Sequence, residues 1–283
     1  EDNRFNKDND HDWFSGIYVN LTGVPKHLLD LYFFSRNADR KAISAADSPQ
    51  APQPGARDIY TIGFRLKSKP AETGAWDYYV EAAYQFGNFQ DRRLAGGPRL
   101  DHQAWMAVAG GGYTFKEAWG KLRLGLEYSY GSGDDNPTDG DHGTFENLFP
   151  TNHKFYGYMD FLSLQNLHDV RGIVTLKPQA KLTLNLEGHG FWLANTRDNF
   201  YTAAGTPRGG IASTAGNNYG VNSGYDAFLG AELDIIASYA VTRFAQLEAG
   251  YGHFFRGDYV KQSLSAIGSQ DANWFYIQAV FNF

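Results

Sequence analysis

The final ten residues, WFYIQAVFNF from Trp274 to Phe283, alternate between two rows of side chains. One apolar row consists of Phe275, Ile277, Ala279, Phe281 and Phe283. A period of two residues is that of a β-strand, whose successive side chains point to opposite faces of the sheet. An apolar row that continues to a terminal aromatic residue predicts a closing strand of a membrane barrel, with this row turned to lipid.

The composition indicates apolar residues interleaved with polar ones. Aromatic residues make up 16% of the 283 residues, yet the mean hydropathy is −0.46. No stretch approaches the roughly 20 apolar residues that a membrane helix needs, which excludes a helical membrane protein. There is no cysteine, so disulfides, thiolate chemistry and a thiolate zinc site are excluded. The formal net charge of −6 argues against nucleic acid as a partner.

The same alternation recurs in about eleven segments. They span 13–21, 28–34, 59–66, 76–86, 104–115, 121–130, 169–176, 181–192, 225–236, 243–255 and 274–283. Within 121–130 one row is Leu122, Leu124, Leu126, Tyr128 and Tyr130, and the other includes Lys121, Arg123 and Glu127. Long strands with ionisable residues on one row and aromatic residues near both ends of the other favour a transmembrane barrel over a soluble sandwich.

The lengths of the connections alternate as well. Short turns fall near 22–26, 68–75, 116–120, 177–180 and 238–242, and long polar loops fall near 37–56, 90–101, 131–166, 195–223 and 256–271. Bacterial outer-membrane barrels have short periplasmic turns and long outer loops. We therefore expect one all-β domain over residues 1–283, an antiparallel up-and-down barrel in the bacterial outer membrane. Its expected partners there are membrane lipid, lipopolysaccharide and, during insertion, the barrel-assembly machinery.

The parity of the strand count predicts further strands before Glu1. If the closing strand ends in the periplasm, eleven alternating strands place residues 1–12 outside the cell. Single-chain bacterial barrels have an even strand number with both termini in the periplasm, and an unpaired sheet edge is a template for aggregation. We expect the chain to be the C-terminal part of a larger barrel; one wrongly assigned strand is the alternative.

The longest connection and several later segments resemble the alginate-export family of outer-membrane proteins. The matching pieces are Ser132-Gly133-Asp134, the segment GTFENLFPTNHKFYGYMD (143–160) with Phe145, His153 and Asp160, Gln165-Asn166-Leu167, GAELD (230–234) and GYGHFFRGDYV (250–260). The resemblance implies a monomeric barrel of 18 strands that passes an anionic polysaccharide outward through a cationic constriction. Seven strands would then be absent before the eleven.

Ionisable residues on the polar rows supply the candidate pore lining. They are Arg65, Arg123 and Arg171, with the carboxylates Glu127, Asp169, Glu187, Glu232 and Asp234. Arginine suits a pore for a polysaccharide of uronic acids (a polyuronate), because its planar guanidinium group donates two hydrogen bonds to a carboxylate. The three arginines either line a selectivity constriction or pair with carboxylates of neighbouring strands. Acids outnumber bases on this face, which favours pairing and weakens alginate as the substrate.

Three loop features each have two interpretations. The cluster Arg92, Arg93 and Arg99 either steers anions and lipopolysaccharide phosphates or is an ordinary solvated loop. The acidic run 133–143 either binds calcium or forms ordinary turns, and Pro137 breaks the EF-hand pattern. His153 either pins its loop by hydrogen bonds, which we favour, or is catalytic.

We expect an outer-membrane porin-like channel for polar and anionic saccharide solutes, without catalysis and without a cofactor or metal. A nucleophile motif such as GxSxG is absent from the sequence. The alternatives are a general diffusion porin without saccharide preference, a barrel-embedded lipid hydrolase, and a structural barrel plugged by its own charges.

Overall fold

The computed structural model describes residues 11–39, 56–90, 97–149, 155–205, 207–208, 221–266 and 268–282. The strands are β1 (Asp12–Leu21), β2 (His27–Ala38), β3 (Arg57–Ser68), β4 (Trp76–Gln90), β5 (Arg99–Thr114), β6 (Arg123–Gly131), β7 (Asp141–His142), β8 (Leu167–Gln179), β9 (Leu182–Leu193), β10 (Phe200–Tyr201), β11 (Pro207–Arg208), β12 (Phe228–Ala240), β13 (Ala245–Arg256) and β14 (Ala272–Phe281). Short helices are α1 (Pro70–Thr73) and α2 (Asp258–Ser263). No helix within these ranges is long and apolar enough to cross a membrane.

Eleven long strands form one antiparallel sheet in chain order, β1-β2-β3-β4-β5-β6-β8-β9-β12-β13-β14. The two-residue β7 pairs in parallel with β5, and β10 pairs only with β11 in the described part of the chain. These eleven strands coincide with the eleven predicted segments, so the all-β antiparallel fold is confirmed. The described strands form an open row from β1 to β14, and the predicted 18-strand barrel stays a prediction.

Alternation in β6 separates an outer from an inner row. Leu124, Leu126 and Tyr128 are exposed, whereas Glu127 and Ser129 are buried. Large apolar side chains are normally buried in a protein that is surrounded by water. The reversed arrangement is the one expected when the outer row faces hydrocarbon and the inner row faces a polar interior.

The last strand follows the same rule. In β14 the side chains of Phe275, Ile277 and Phe281 are 64%, 71% and 62% exposed. The intervening Tyr276 lies on the inner row, where its hydroxyl donates to Glu248 Oε1 at 2.7 Å. These positions are exposed, as the predicted lipid-facing row requires, and Phe283 lies outside the described residues.

The connections differ in length between the two ends of the sheet. Short turns span 22–26, 69–75, 115–122, 180–181 and 241–244, and long connections span 39–56, 91–98, 132–166, 194–227 and 257–271. The predicted turn at 238–242 lies too early, because β12 continues to Ala240. Ser238 extends the inner row and donates a 2.8 Å hydrogen bond to Glu248 of β13.

The assignment of an outer and an inner row predicts at which positions a charged residue destabilises the protein. We expect Leu126→Arg to destabilise the protein in lipid vesicles by about 2–4 kcal/mol, the cost of a basic residue at the bilayer midplane. Asn185→Arg is the matched control, because Asn185 lies on the inner row of β9. Denaturant titration of both variants measures the difference, and an equal cost at the two positions would contradict the assignment of the rows.

Candidate functional site

The connection between β6 and β8, which the structure describes over residues 132–149 and 155–166, enters the space in front of the inner face. Its Leu148 carbonyl accepts a 2.6 Å hydrogen bond from Arg36 Nη1 on β2. Further along, the Met159 N–H donates to Glu232 Oε1 on β12 at 2.9 Å. One connection thus contacts strands near both edges of the sheet, which requires the sheet to curve around it. We call this connection the inserted loop and the space around it the lumen.

Aromatic contacts extend the inserted loop to both edge strands. Phe149 packs edge-on against Phe14 of β1, with ring centroids 4.8 Å apart. Tyr158 stacks on Tyr276 of β14, with centroids 6.2 Å apart. The loop therefore bridges the inner face from its first strand to its last.

A buried amide clamp holds the first half of the inserted loop. Gln85, fully buried on β4, donates from Nε2 to the Glu146 carbonyl at 2.9 Å and accepts the Glu146 N–H at 2.8 Å. The adjacent Phe145 packs on Tyr32 and Ala83 of the inner wall. Phe145, a residue of the predicted loop motif, therefore anchors the loop to the sheet.

The other motif residues lie at the root of the inserted loop, which is the part next to β6. Ser132 Oγ donates to the Gly143 carbonyl at 2.8 Å. Gly133 leaves no room for a side chain, because a Cβ there would lie 2.0 Å from Asn166 Oδ1. The Asp134 N–H donates to Asp198 Oδ2 at 3.0 Å, which joins this root to the connection after β9. These contacts fix the direction in which the loop leaves β6.

Two motif residues stand apart from this root. Asp160 is exposed and adopts a left-handed backbone conformation (φ 55°) in the second half of the loop. His153 lies outside the described residues. Arg92 and Arg93 of the predicted basic cluster also lie outside them, whereas Arg99 pairs with Asp58 on β3.

Two of the candidate pore arginines pair with their direct neighbours. Arg65 lies opposite Asp30 in the β2–β3 register and donates to it from Nε (2.9 Å) and Nη2 (2.7 Å). Arg171 lies opposite Glu127 and donates to it at 3.2 Å, with Glu187 Oε2 at 3.5 Å from its other terminal nitrogen.

The third arginine, Arg123, pairs with a carboxylate two strands away. Arg123 donates two hydrogen bonds, of 2.7 and 2.5 Å, to Asp77 on β4. It lies across β5 at Gly112, where a Cβ would come 2.5 Å from the guanidinium carbon. All three candidate arginines therefore have carboxylate partners in the described residues, and their part in solute selectivity stays a prediction.

The remaining candidate carboxylates are buried on β8, β9 and β12. Both oxygens of Asp169 lie 3.1 Å from His189 Nδ1. His189 Nε2 is 3.9 Å from Glu187 Oε2 and has no hydrogen-bond partner among the described residues. On β12, Glu232 binds the inserted loop through Oε1, while Asp234 is buried with both oxygens unbonded within the same part of the chain.

Sequence reasoning missed two contacts that position the loop. The Gln85 clamp was not expected. His102 on β5 and His142 on β7 also meet, with their Nδ1 atoms 2.9 Å apart, and His142 stacks on Phe89. Both contacts join residues at least 40 positions apart in the chain, so no local pattern indicates them.

The acidic run of the inserted loop forms turns. Asp134 Oδ1 accepts the Asn136 N–H, and Asp139 Oδ1 accepts the Asp141 N–H, each at 3.0 Å. These are the local side-chain to backbone bonds that Asp forms in turns. Across the described ranges, no group of three or more His, Asp or Glu side chains has a geometry that could hold a metal ion.

The sequence matches the family described as "Alginate export" over residues 1–270. No curated protein matches the sequence. Among solved structures, the NanC porin is 10% identical, with 96% of this chain and 94% of that chain covered and a TM-score of 0.40. OmpT of Vibrio cholerae is 11% identical, with 96% and 89% covered and a TM-score of 0.37. BamA of Haemophilus ducreyi is 10% identical, with 96% and 59% covered and a TM-score of 0.39.

The amide clamp predicts a gain of conductance when it is removed. We expect Gln85→Ala to raise the single-channel conductance, because the first half of the inserted loop loses the two hydrogen bonds that hold it against β4. Planar-bilayer recording measures the change. Gln278→Ala on the inner row of β14 is the control, and equal conductance in both variants would argue against the clamp.

The close contact between the Arg123 side chain and Gly112 predicts that a methyl group added at Gly112 lowers the stability of the protein. We expect Gly112→Ala to destabilise the protein by about 1–3 kcal/mol, the usual cost of overpacking, because the Cβ displaces Arg123 from Asp77. Gly172→Ala is the matched control, since a Cβ at Gly172 meets no atom within 4 Å. Denaturant titration in vesicles should separate the two variants, and similar stabilities would contradict the crossing.

Proposed function

The chain belongs to the alginate export family of outer-membrane β-barrel proteins, and we propose that it is a porin-like channel for polar saccharides, anionic ones included. The coarser statement, an outer-membrane channel, follows from the family. The finer statement, the class of solute, rests on the chemistry of the lumen.

The observation that carries the proposal is the polarity of the inner rows. Carboxylates, arginines and tyrosine hydroxyls face the lumen, while the outer rows carry exposed apolar side chains. A wall of this kind lets polar solutes cross a bilayer without contact with hydrocarbon. The inserted loop lies in this space, so a solute would pass between the loop and the wall.

Because the lumen arginines are paired with carboxylates, we expect an anionic solute to pass through the lumen and not to bind tightly there. Arg65, Arg123 and Arg171 are bonded to carboxylates, and Arg36 pairs with Asp12 in the same way. A bare arginine would hold a uronate carboxylate through two charge-assisted hydrogen bonds. Paired arginines compete for it less strongly, and a channel conducts only if its solute can leave each site.

Hydroxyl-rich solutes suit the remaining lumen groups. The Tyr32 hydroxyl donates to Glu81 Oε1 at 2.9 Å, and the Tyr276 hydroxyl donates to Glu248. Carboxylates accept hydrogen bonds from sugar hydroxyls, and arginine and tyrosine groups donate to them. These groups favour saccharides over apolar solutes.

Two of the three alternatives differ in which residues the lumen would have to contain. A general diffusion porin needs only the polar inner rows, so it is the second candidate. A lipid hydrolase would need a nucleophile beside a histidine. The buried His189 bonds Asp169, but its Nε2 has no serine partner within the described ranges, so hydrolysis has no support from this histidine.

Liposome swelling tests the proposal. We expect proteoliposomes to swell in oligosaccharides of a uronic acid and of glucose faster than in a non-saccharide polyol polymer of equal hydrodynamic size. Rates that depend on size alone would favour the general diffusion porin. Absence of both swelling and ionic conductance would mean a plugged barrel and would overturn the channel.

A further inference from the structure

The inner row of β1 carries two exposed aromatic side chains. In the β1–β2 register Tyr18 lies opposite Tyr32 and Phe14 lies opposite Arg36, and both partners are buried on the inner face of β2. Phe14 is nevertheless 47% exposed and Tyr18 is 51% exposed. A further strand beside β1 would pair with its backbone and leave both side chains on the lumen face, because alternate side chains keep their direction when a strand is paired. Their exposed surface therefore meets water and solutes.

These two side chains belong to a continuous line of rings. The ring centroid of Phe34 on β2 lies 5.4 Å from that of Phe14 and 6.5 Å from that of Tyr18. The Phe34 ring lies over Gly16, where a Cβ would overlap it. At the other end Phe14 contacts Phe149 of the inserted loop, with centroids 4.8 Å apart. We call Phe149, Phe14, Phe34 and Tyr18 the aromatic strip.

The aromatic strip runs along the channel. Phe14 and Tyr18 are four positions apart on one strand, which separates them by about 13 Å along β1. This strand leads into the short turn 22–26, so the strip runs from the inserted loop toward the short-turn end of the sheet. The rings therefore follow one another in the direction in which a solute would cross the membrane.

Other aromatic residues of the inner rows have a structural role. Phe191 of β9 and Phe254 of β13 are buried in one cluster with Leu162 of the inserted loop. Their rings anchor the second half of the loop against the wall. About half of Phe14 and of Tyr18 stays exposed, so packing within the described part of the chain uses only part of their surface.

Hydrogen-bonding groups border the aromatic strip at both ends. Beside Phe14, Arg36 donates to Asp12 at 3.1 and 2.7 Å. Next to Tyr18, Asp30 accepts hydrogen bonds from Arg65 and Asn20. Ligand sites in proteins combine apolar and aromatic walls with a small number of placed polar groups. The strip and its borders have this composition.

We propose that the aromatic strip is a track on which the sugar rings of a saccharide stack as it passes through the lumen. The inference rests on the proposed channel function and adds to it a binding site in the wall. A pyranose ring has a face of C–H groups and a rim of hydroxyl groups. The C–H face fits against an aromatic face, whose negative charge attracts the hydrogens, and the hydroxyl groups bond to the polar borders.

Stacking of this kind is compatible with transport. One aromatic contact changes an equilibrium by about two- to tenfold, which is a weak interaction. Successive rings offer similar contacts, so a sugar chain can move from one ring to the next without leaving the wall. A channel conducts when its sites are several and each is easily left. The strip selects solutes by the shape of their rings and not by their charge.

Single-channel recording with a neutral oligomer of β-linked glucose tests the proposal, because this oligomer has sugar rings and no charge. We expect Phe14→Leu and Tyr18→Leu each to shorten the time for which one oligomer blocks the current by about two- to tenfold, the effect of one aromatic contact. Phe14→Leu/Tyr18→Leu should shorten it by the product of the two factors, since sites about 13 Å apart act independently. Raised salt should leave these effects unchanged, because no charge is screened.

Three controls make the outcome specific. Tyr18→Phe keeps the ring and should keep the blocking time of the wild type. Phe33→Leu/Tyr84→Leu removes one Phe and one Tyr from the exposed outer rows of β2 and β4 and should also leave the blocking time unchanged. Polyethylene glycol of equal hydrodynamic size has no rings, so its blocking time should be the same in the wild type and in every variant.

Each other result has a distinct meaning. A blocking time that Phe14→Leu and Tyr18→Leu leave unchanged would overturn the track and leave the channel standing; a lowered denaturation midpoint in the same variants would show that the strip packs against the chain itself. Equal shortening for the sugar and for polyethylene glycol would be an effect of pore width and would also overturn the track. Absence of any ionic conductance would instead overturn the proposed function.

Discussion

The structure depends on one constraint, which is that backbone N–H and C=O groups inside a bilayer must bond to one another. A strand meets this constraint only by pairing on both sides, so a membrane sheet grows by adding neighbours in chain order. Nine of the eleven long strands pair on both sides without a crossover in the described residues, and the edge strands β1 and β14 each have one partner there. Pairing also fixes the faces, because alternate side chains then point to lipid and to the lumen. The exposed row of Leu124, Leu126 and Tyr128 and the buried Glu127 between Leu126 and Tyr128 follow directly.

A polar inner face creates a second requirement, since buried charges and polar groups need partners. The arginines of the lumen meet it with carboxylates on a neighbouring strand or, for Arg123, two strands away. Glycines leave room for the long side chains that pass over an intervening strand. Arg123 passes over Gly112, and the ring of Tyr32 lies over Gly63 on its way to Glu81. The inserted loop meets the same requirement through Gln85 and Glu232. The lumen arginines are thus bonded to carboxylates, whereas the buried Asp234 has no hydrogen-bond partner among the described residues.

The sequence alone predicted the features that depend on local periodicity. Alternation in 121–130 and 274–283 placed the strands and their lipid-facing rows, and the lengths of the connections separated the two ends of the sheet. It did not predict that residues 132–149 and 155–166 fold inward, because the Gln85–Glu146 clamp joins residues 61 positions apart. It identified Arg123 as an inner residue but not its partner, since Asp77 is two strands away. The turn after β12 was misplaced because Ser238 looks like a turn residue until its bond to Glu248 is known.

The central claim is that alternate residues of each long strand face lipid and water. Single-cysteine substitution at each position of 274–281, one variant at a time, tests it most directly, because the chain has no cysteine of its own. Reaction with a membrane-impermeant thiol reagent should be fast at the inner-row positions 274 and 278 and slow at the outer-row positions 275, 277 and 281, with a period of two residues. A uniform rate, or a period near 3.6 residues, would contradict the account.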